Sequence, residues 1–96
     1  MAKGYWVSAY HEIYDADKLA AYAKLAGPAI EAGGGKFLAR GNAAKAYEAG
    51  ILQRTVIVEF PSVDAAVATH DGEGYQVALK ALDGGCKRDL RVIEGV

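Results

Sequence analysis

The chain has 96 residues, of which 52% are hydrophobic and 24% are charged, and 11 Lys and Arg against 12 Asp and Glu give a net charge of −1. This length predicts one domain over residues 1–96, and the charge balance argues against a nucleic-acid partner held through its phosphates. The apolar runs are shorter than the roughly 20 residues that span a bilayer, so no membrane partner is expected. A single cysteine excludes an internal disulfide. The N-terminus lacks the pattern of a secretory signal, and we therefore expect a cytoplasmic protein.

The first elements predicted are a strand and a helix. Residues 5–11 alternate side chains between two faces, as a strand does. Apolar residues at spacings of three and four then predict a helix over 17–32, with Asp15 as its N-cap. Pro28 lies inside this helix and removes one backbone donor, so we expect a kink or a break into two pieces. The glycines at 33–35 end the helix.

A second strand is predicted over 36–41. Regular alternation along it places Phe37 and Arg40 on opposite faces. The segment 42–53 is rich in Ala and weakly patterned. It fits an extended loop, a continuation of the strand or a helical turn, and we favour the continued strand.

The second half of the chain predicts a strand, an interrupted helix and a strand. Residues 54–60 are β-branched almost throughout, which is typical of a central strand. Ser62 follows as the N-cap of a helix that is interrupted at 72–74 and resumes until Gly84. Alternation over 90–94 predicts the fourth strand.

This order predicts an α+β protein, a ferredoxin-like βαββαβ sandwich with a four-stranded antiparallel sheet and two helices on one face. Each predicted strand carries apolar side chains on both faces, and nothing else in the chain is long enough to cover the second face. An exposed apolar face of that size exceeds what monomers usually tolerate. A second copy of the chain is the simplest cover, so we predict a homodimer.

Several short motifs occur along the whole chain. They are Gly4-Tyr5-Trp6, the segment from Gly34 to Gly41 that reads GGKFLARG, Glu59-Phe60-Pro61-Ser62, Tyr75-Gln76 and Ile93-Glu94-Gly95. In this order and spacing they resemble the bacterial family of domains of unknown function numbered thirteen-thirty (DUF1330). The resemblance implies a fold similar to the dimeric α/β barrels, in which two ferredoxin-like sheets pack face to face. It implies no biochemical activity, because the family has none that is settled.

The resemblance also places the family's typical polar side chains on particular positions. These are Arg40, Arg54, Glu59, Tyr75 and Glu94. The chain departs from the family pattern at Asp83, where an arginine is often found, and at Asn42, where a second glycine is usual. A third departure is the stretch 72–73, which replaces a helix-capping serine.

Glu59 is the first candidate site residue because a carboxylate within an apolar strand is costly to bury unless it is paired or protonated. We consider it both as a ligand-binding residue and as a proton-transfer residue. The competing interpretation is a structural ion pair with Arg40 or Arg54. These two arginines are also able to orient a carboxylate ligand through paired hydrogen bonds.

His70 is the second candidate for catalysis, although a surface or capping role is favoured for a histidine at the end of an element. Trp6 and Tyr75 are candidate walls of an apolar ligand cavity, with a role in the core as the alternative. No histidine has a partner at metal-ligand spacing, so neither a metal nor a cofactor is expected. Cys86 lies beside Lys87 and Arg88, whose charges we take to be solvated, and no catalytic role is expected for it.

Three functions remain open from the sequence. The first is a dimeric protein that binds a small, partly apolar organic molecule in a cavity at the sheet face. The second is a non-catalytic interaction or structural module. The third is a cofactor-independent oxygenase or isomerase, in which Glu59 or a histidine moves a proton. Whether the protein is an enzyme is left undecided.

Overall fold

The structure, a computed structural model, describes residues 2–96 and contains one antiparallel sheet with the strand order β2-β3-β1-β4. The elements in chain order are β1 (Gly4–Ile13), α1 (Ala16–Ala32), β2 (Lys36–Asn42), β3 (Arg54–Phe60), α2 (Val63–Asp71), α3 (Glu73–Leu82) and β4 (Cys86–Glu94). The predicted ferredoxin-like α+β architecture is confirmed. The central position predicted for β3 is confirmed too, because β3 pairs with both β1 and β2.

Helix α1 begins as predicted and crosses its proline intact. The Asp15 carboxylate accepts hydrogen bonds from the backbone N–H groups of Asp17 and Lys18, at 3.0 and 3.1 Å. The helix continues through Pro28 as one element, so the predicted break is wrong. Gly27 favours this continuity, because without a Cβ it avoids part of the clash by which a proline ring disfavours the helical conformation of the preceding residue.

The segment between β2 and β3 is an extended loop, and the strand continuation that we favoured is wrong. Strand pairing ends at Asn42 and Arg54. The backbone N–H of Ala43 donates to the carbonyl of Gln53 at 3.0 Å and closes the base of the loop. Glu48 adopts a positive φ of 53°. The chain must reverse here to pair β3 antiparallel with β2, and that reversal interrupts the strand.

The second half follows the prediction except at its last strand. The Ser62 hydroxyl accepts from the backbone N–H of Ala65 at 3.0 Å, and Gly72 separates α2 from α3. Strand β4 begins at Cys86, four residues before the predicted start at residue 90. The added residues pair with β1, where Arg88 lies opposite Tyr10.

The helices pack on one side of the sheet, which we call the covered face, and leave the other side, the open face, without cover from the described residues. Along β1, Trp6, Ser8 and Tyr10 are buried on the covered face, whereas Tyr5 and Val7 are half-buried on the open face. The core lies between the covered face and the helices. Its largest members are Trp6, Tyr10, Tyr22, Ile30, Val58, Phe60, Tyr75 and Leu82.

Strand β2 contains a bulge that changes its facing pattern. Phe37 pairs with Val58, but the next pair along is Ala39 with Ile57, so Leu38 is an extra residue without a partner on β3. Beyond the bulge, Arg40 therefore lies on the covered face, the same face as Phe37. The prediction that these two side chains face opposite ways is wrong because it assumed regular alternation.

Candidate functional site

A cavity lies between the covered face and helix α1. Its apolar walls come from Trp6, Val56 and Val58 on the sheet and from Ala26 and Ile30 on the helix. Its volume is about 40 Å³, roughly three times the 10–15 Å³ that one water molecule requires. The space suits a small organic group more than a large cofactor.

Three of the four arginines in the sequence line this cavity. Arg40 lies opposite Val56 on the neighbouring strand, and Arg54 precedes Val56 by two residues, so it shares the same face. Arg88 reaches the cavity from β4. No Asp or Glu is among the lining residues, and none of the three arginines has an ion pair with a carboxylate in the described part of the chain. The cavity is therefore electropositive.

Phenol groups hold Arg88 in place. One guanidinium nitrogen donates to the hydroxyls of Tyr10 and Tyr22, at 2.9 and 3.2 Å. The other terminal nitrogen donates to the hydroxyl of Tyr75 at 3.0 Å, and the hydroxyls of Tyr22 and Tyr75 are also hydrogen-bonded to each other. Three neutral oxygens from β1, α1 and α3 thus solvate one partly buried cation. We call these four side chains the Arg88 cluster.

The cluster fixes the protonation state of its members. Burial of the Arg88 guanidinium opposes its charge, but the hydroxyls of Tyr22 and Tyr75 outweigh this and raise the pKa above its ordinary value. Burial raises the pKa of Tyr22, and that of Tyr10 as well, although Arg88 acts against both shifts. Arg88 therefore stays charged and both phenols stay neutral near pH 7.

Arg54 and Ser8 bring unpartnered polar atoms to the same cavity. The Arg54 guanidinium lies 5.9 Å from the centre of the Tyr10 ring, and its Nε is buried without a hydrogen-bond partner. Ser8 is only 4% exposed, and its hydroxyl oxygen also has no partner. Buried polar groups are nearly always hydrogen-bonded. Both residues line the cavity, so a rotation of either side chain would present these atoms to a molecule inside it.

Arg40 is the exposed member of the three arginines. Its guanidinium stacks 4.4 Å from the centre of the Phe37 ring, which holds a flexible side chain against an apolar surface. The β2 bulge is what brings it to this side of the sheet.

The residues predicted for a site separate into two places. Trp6 and Arg40 line the cavity, and Tyr75 supports it through Arg88. Glu59 lies on the open face, where its carboxylate accepts hydrogen bonds from Lys3 at 3.0 Å and Tyr5 at 3.2 Å. Glu59 therefore forms an ion pair, as the competing interpretation held, but its partner is Lys3 and neither Arg40 nor Arg54. The hydrogen bond from Lys3, helped by that from Tyr5, lowers the pKa of Glu59.

His70 also lies outside the cavity. Its Nδ1 is 3.1 Å from a carboxylate oxygen of Asp71, and its ring packs on Trp6 and Tyr75, with centroid distances of 5.9 and 5.2 Å. The contact with Asp71 forms even though the two residues are adjacent on a helix. His70 is not among the residues that line the cavity, and it lines a separate pocket with Val67 and Val92.

Sequence reasoning missed Arg88 and Ser8 as site residues. The charge of Arg88 was taken to be solvated, and its burial in the tyrosine cluster corrects that. The pKa of the neighbouring Cys86 is raised by burial, although Arg88 acts against the shift. A usable signal existed in the alternation of Cys86, Arg88 and Leu90, which extends the pattern of β4 toward its start. No comparable signal pointed to Ser8.

Within residues 2–96, no group of three or more His, Cys, Asp or Glu side chains is arranged to hold a metal ion. None of the described helices combines the length and the apolar character needed to cross a membrane.

Comparisons with known proteins agree with this fold. The model of the family described as a domain of unknown function, DUF1330, matches residues 3–96. A protein of unknown function from Rhodopseudomonas palustris is similar in structure, with a TM-score of 0.78 at 20% identity over 99% of this chain and 83% of that one.

Two further structures, each called a "putative antibiotic biosynthesis monooxygenase", are similar as well. The protein from Nitrosomonas europaea has a TM-score of 0.61 at 16% identity, and that from Caulobacter crescentus has 0.59 at 15%. In both, the match covers 99% of this chain and 90% of the other. No curated protein sequence matches significantly. At these identities the likeness concerns the fold alone.

Proposed function

Since the chain belongs to the DUF1330 family, whose description carries no activity, we propose a function from the site itself: the protein binds a small, partly apolar organic molecule in the cavity between the covered face and α1. The observation that carries this proposal is the pair of unpartnered buried groups, Ser8 Oγ and Arg54 Nε, in an otherwise apolar cavity. Natural sequences rarely keep such groups buried without a partner, because each costs about 1–3 kcal/mol.

The lining favours binding over proton-transfer catalysis. No lining residue is a carboxylate, an imidazole or a thiol, the side chains that most often accept or donate a proton during a reaction. The lining tyrosines Tyr10 and Tyr22 have raised pKa values, so their phenolates are rare near pH 7. Glu59 and His70, the two residues considered for catalysis from the sequence, lie elsewhere.

The proposal includes a homodimer that buries the open face. On that face Tyr5, Val7 and Ile57 are half-buried, and Ile93 is 57% exposed. They lie on three adjacent strands, and the registers place Tyr5 opposite Ile93 and Val7 opposite Ile57. Glu59 and Arg91 lie beside them on the same face. A sheet face with apolar side chains on neighbouring strands is the sort that a second copy covers in a two-fold interface.

Binding is tested by blocking the mouth of the cavity. Ala23 lines the cavity but is exposed on α1, so Ala23→Leu narrows the space without overfilling the core. Ala20→Leu, on the exposed side of the same helix, is the matched control. In a thermal-shift and calorimetric screen of small carboxylic acids, amides and alcohols, we expect at least one compound to bind the native protein and the control but not Ala23→Leu. If no compound binds, or the blocked variant binds equally well, the proposal is wrong.

The dimer is tested by placing a charge on the open face. Ile57→Lys leaves an ammonium group in the interface, where an unpaired charge costs several kcal/mol. We expect sedimentation equilibrium to give a dimer for the native protein and a folded monomer, or loss of folding, for the variant. A native protein that sediments as a monomer would contradict the dimer and leave the binding proposal standing.

A further inference from the structure

We infer that the molecule bound in the cavity carries a single carboxylate, held by Arg54 together with Ser8, with its apolar part against Trp6 and the valines of β3. This inference rests on the proposed function and adds the chemical class of the ligand. It follows from the unpartnered groups, the electropositive lining and the shape of the space.

The first step concerns the unpartnered hydrogen-bond donors of the Arg54 guanidinium. Its Nε is buried and unpartnered, and no side-chain hydrogen bond of its guanidinium is found within residues 2–96. When the side chain rotates toward the cavity, Nε and the neighbouring terminal nitrogen present two parallel N–H donors, which match the two oxygens of a carboxylate. Neutral amides and alcohols match that fork less well, because they offer one acceptor oxygen.

The second step is the position of Ser8. It lies opposite Val56 on the covered face, and Arg54 is two residues from Val56 on that same face. Diagonal neighbours of this kind have Cβ atoms about 7–8 Å apart. A carboxylate that accepts from Arg54 is then within reach of the short Ser8 hydroxyl, which donates a third hydrogen bond.

The third step is charge. Among residues 2–96, no carboxylate neutralises Arg88, whose three partners are uncharged hydroxyls. Arg54 and Arg88 flank the ring of Tyr10, with guanidinium carbons 5.9 and 5.3 Å from its centre. Two cations so placed in a partly desolvated cavity repel each other and attract an anion more strongly than in water. One bound carboxylate relieves this repulsion.

The fourth step separates an organic acid from an inorganic anion. Most of the lining is apolar, and Trp6 and Val58 are almost completely buried beside the space. A phosphate or sulfate ion would leave these surfaces unmatched, whereas the hydrocarbon part of a monocarboxylate fills them.

The experiment compares isosteric pairs of small probes: acetate with acetamide, and propionate with propionamide. Dissociation constants are measured by calorimetry and by NMR titration on the native protein, Arg54→Met, Ser8→Ala and the control Arg91→Met, whose residue is exposed on the open face. We expect each acid to bind about 10- to 100-fold more tightly than its amide. Arg54→Met removes that preference, Ser8→Ala reduces it, and Arg91→Met retains it.

The outcomes distinguish this inference from the proposed function. If acids and amides bind equally well and Ala23→Leu blocks both, the ligand does not need a carboxylate and this inference is wrong. The proposal that the cavity is a binding site then still stands. No binding of any probe overturns both. Displacement of propionate by inorganic phosphate at the same concentration also overturns the inference, because the site then recognises charge alone. Should Arg54→Met fail to fold, Arg54→Lys keeps the charge without the fork, and an unchanged preference in that variant contradicts the inference.

Discussion

On the open face of the sheet, charged side chains pair with one another: Glu59 with Lys3, and Asp89 with both His11 and Arg91. On the covered face, the arginines of the cavity have no carboxylate partner and rest on phenol oxygens and aromatic rings instead. The two faces of one sheet therefore stabilise charged side chains in different ways. Opposite charges pair and cancel on the open face, whereas neutral dipoles hold a cation without cancelling it on the covered face.

This difference bears on function because only an uncancelled charge remains available to a ligand. Ion pairs at exposed positions contribute little to stability, typically up to about 1 kcal/mol. The cations of the covered face are partly desolvated. Removing their hydrogen-bond partners is therefore expected to lower the free energy of unfolding by a larger amount. Matched substitutions on the two faces test this directly.

The largest effect is expected for Arg88→Met. It leaves the Tyr10 hydroxyl without a partner and removes one partner each from the hydroxyls of Tyr22 and Tyr75, which stay hydrogen-bonded to each other. An unsatisfied buried group costs about 1–3 kcal/mol, and two further hydrogen bonds are lost, so we expect the free energy of unfolding to fall by about 2–4 kcal/mol. Urea unfolding followed by the fluorescence of Trp6, the only tryptophan, measures it. Arg91→Met on the open face is the control and is expected to cost less than about 0.5 kcal/mol. Equal losses of stability in the two variants would contradict the difference between the two faces.

A smaller effect is expected when one phenol of the Arg88 cluster is removed. Tyr75→Phe takes away one acceptor of Arg88 and one hydrogen-bond partner of Tyr22. We therefore expect the free energy of unfolding to fall by about 1–2 kcal/mol. Tyr5→Phe removes the hydroxyl that donates to Glu59 on the open face. We expect that variant to unfold at nearly the native urea concentration. A Tyr5 variant as unstable as the Tyr75 variant would contradict the contrast between the faces.

The smallest effect is a pH dependence on the open face. The pKa of Glu59 is lowered in the folded protein, so its stabilising contribution is present above its ordinary value of 4.5 and is lost as the pH falls through the folded value. Between pH 7 and pH 3, Glu59→Gln should therefore lose less stability than the native protein, and the difference between them should shrink as the pH falls. Thermal unfolding across this range measures both. A variant that loses stability in parallel with the native protein would show that Glu59 has no such linkage.

The sequence predicted the elements well because their signals are local. Asp15 and Ser62 cap helices by hydrogen bonds to residues two or three positions away, and the β-branched run of β3 identifies a central strand by itself. The start of β4 was missed because its first residues are polar, and polar residues usually indicate a loop. Only pairing with β1 makes them a strand.

The site was harder to predict because it depends on which face of each strand is covered. Glu59 and Val58 are neighbours in the sequence with similar surroundings, yet Glu59 lies on the open face and Val58 lies in the core. Both faces of β3 carry apolar side chains, so the alternation of residues does not indicate which face the helices cover. Arg88 depends on three tyrosines from three distant elements, and that arrangement exists only after folding.

The bulge at Leu38 has a consequence for how this cavity varies among similar chains. Phe37 and Arg40 are separated by an odd number of positions, which in a regular strand places them on opposite sides, and the extra residue makes an odd interval behave as an even one. The number of residues in β2, rather than their chemical type, decides whether Arg40 faces the ligand space. Two chains with an arginine at the same aligned position can therefore differ by one charge inside the cavity, and a comparison of residue identities alone would count them as equal.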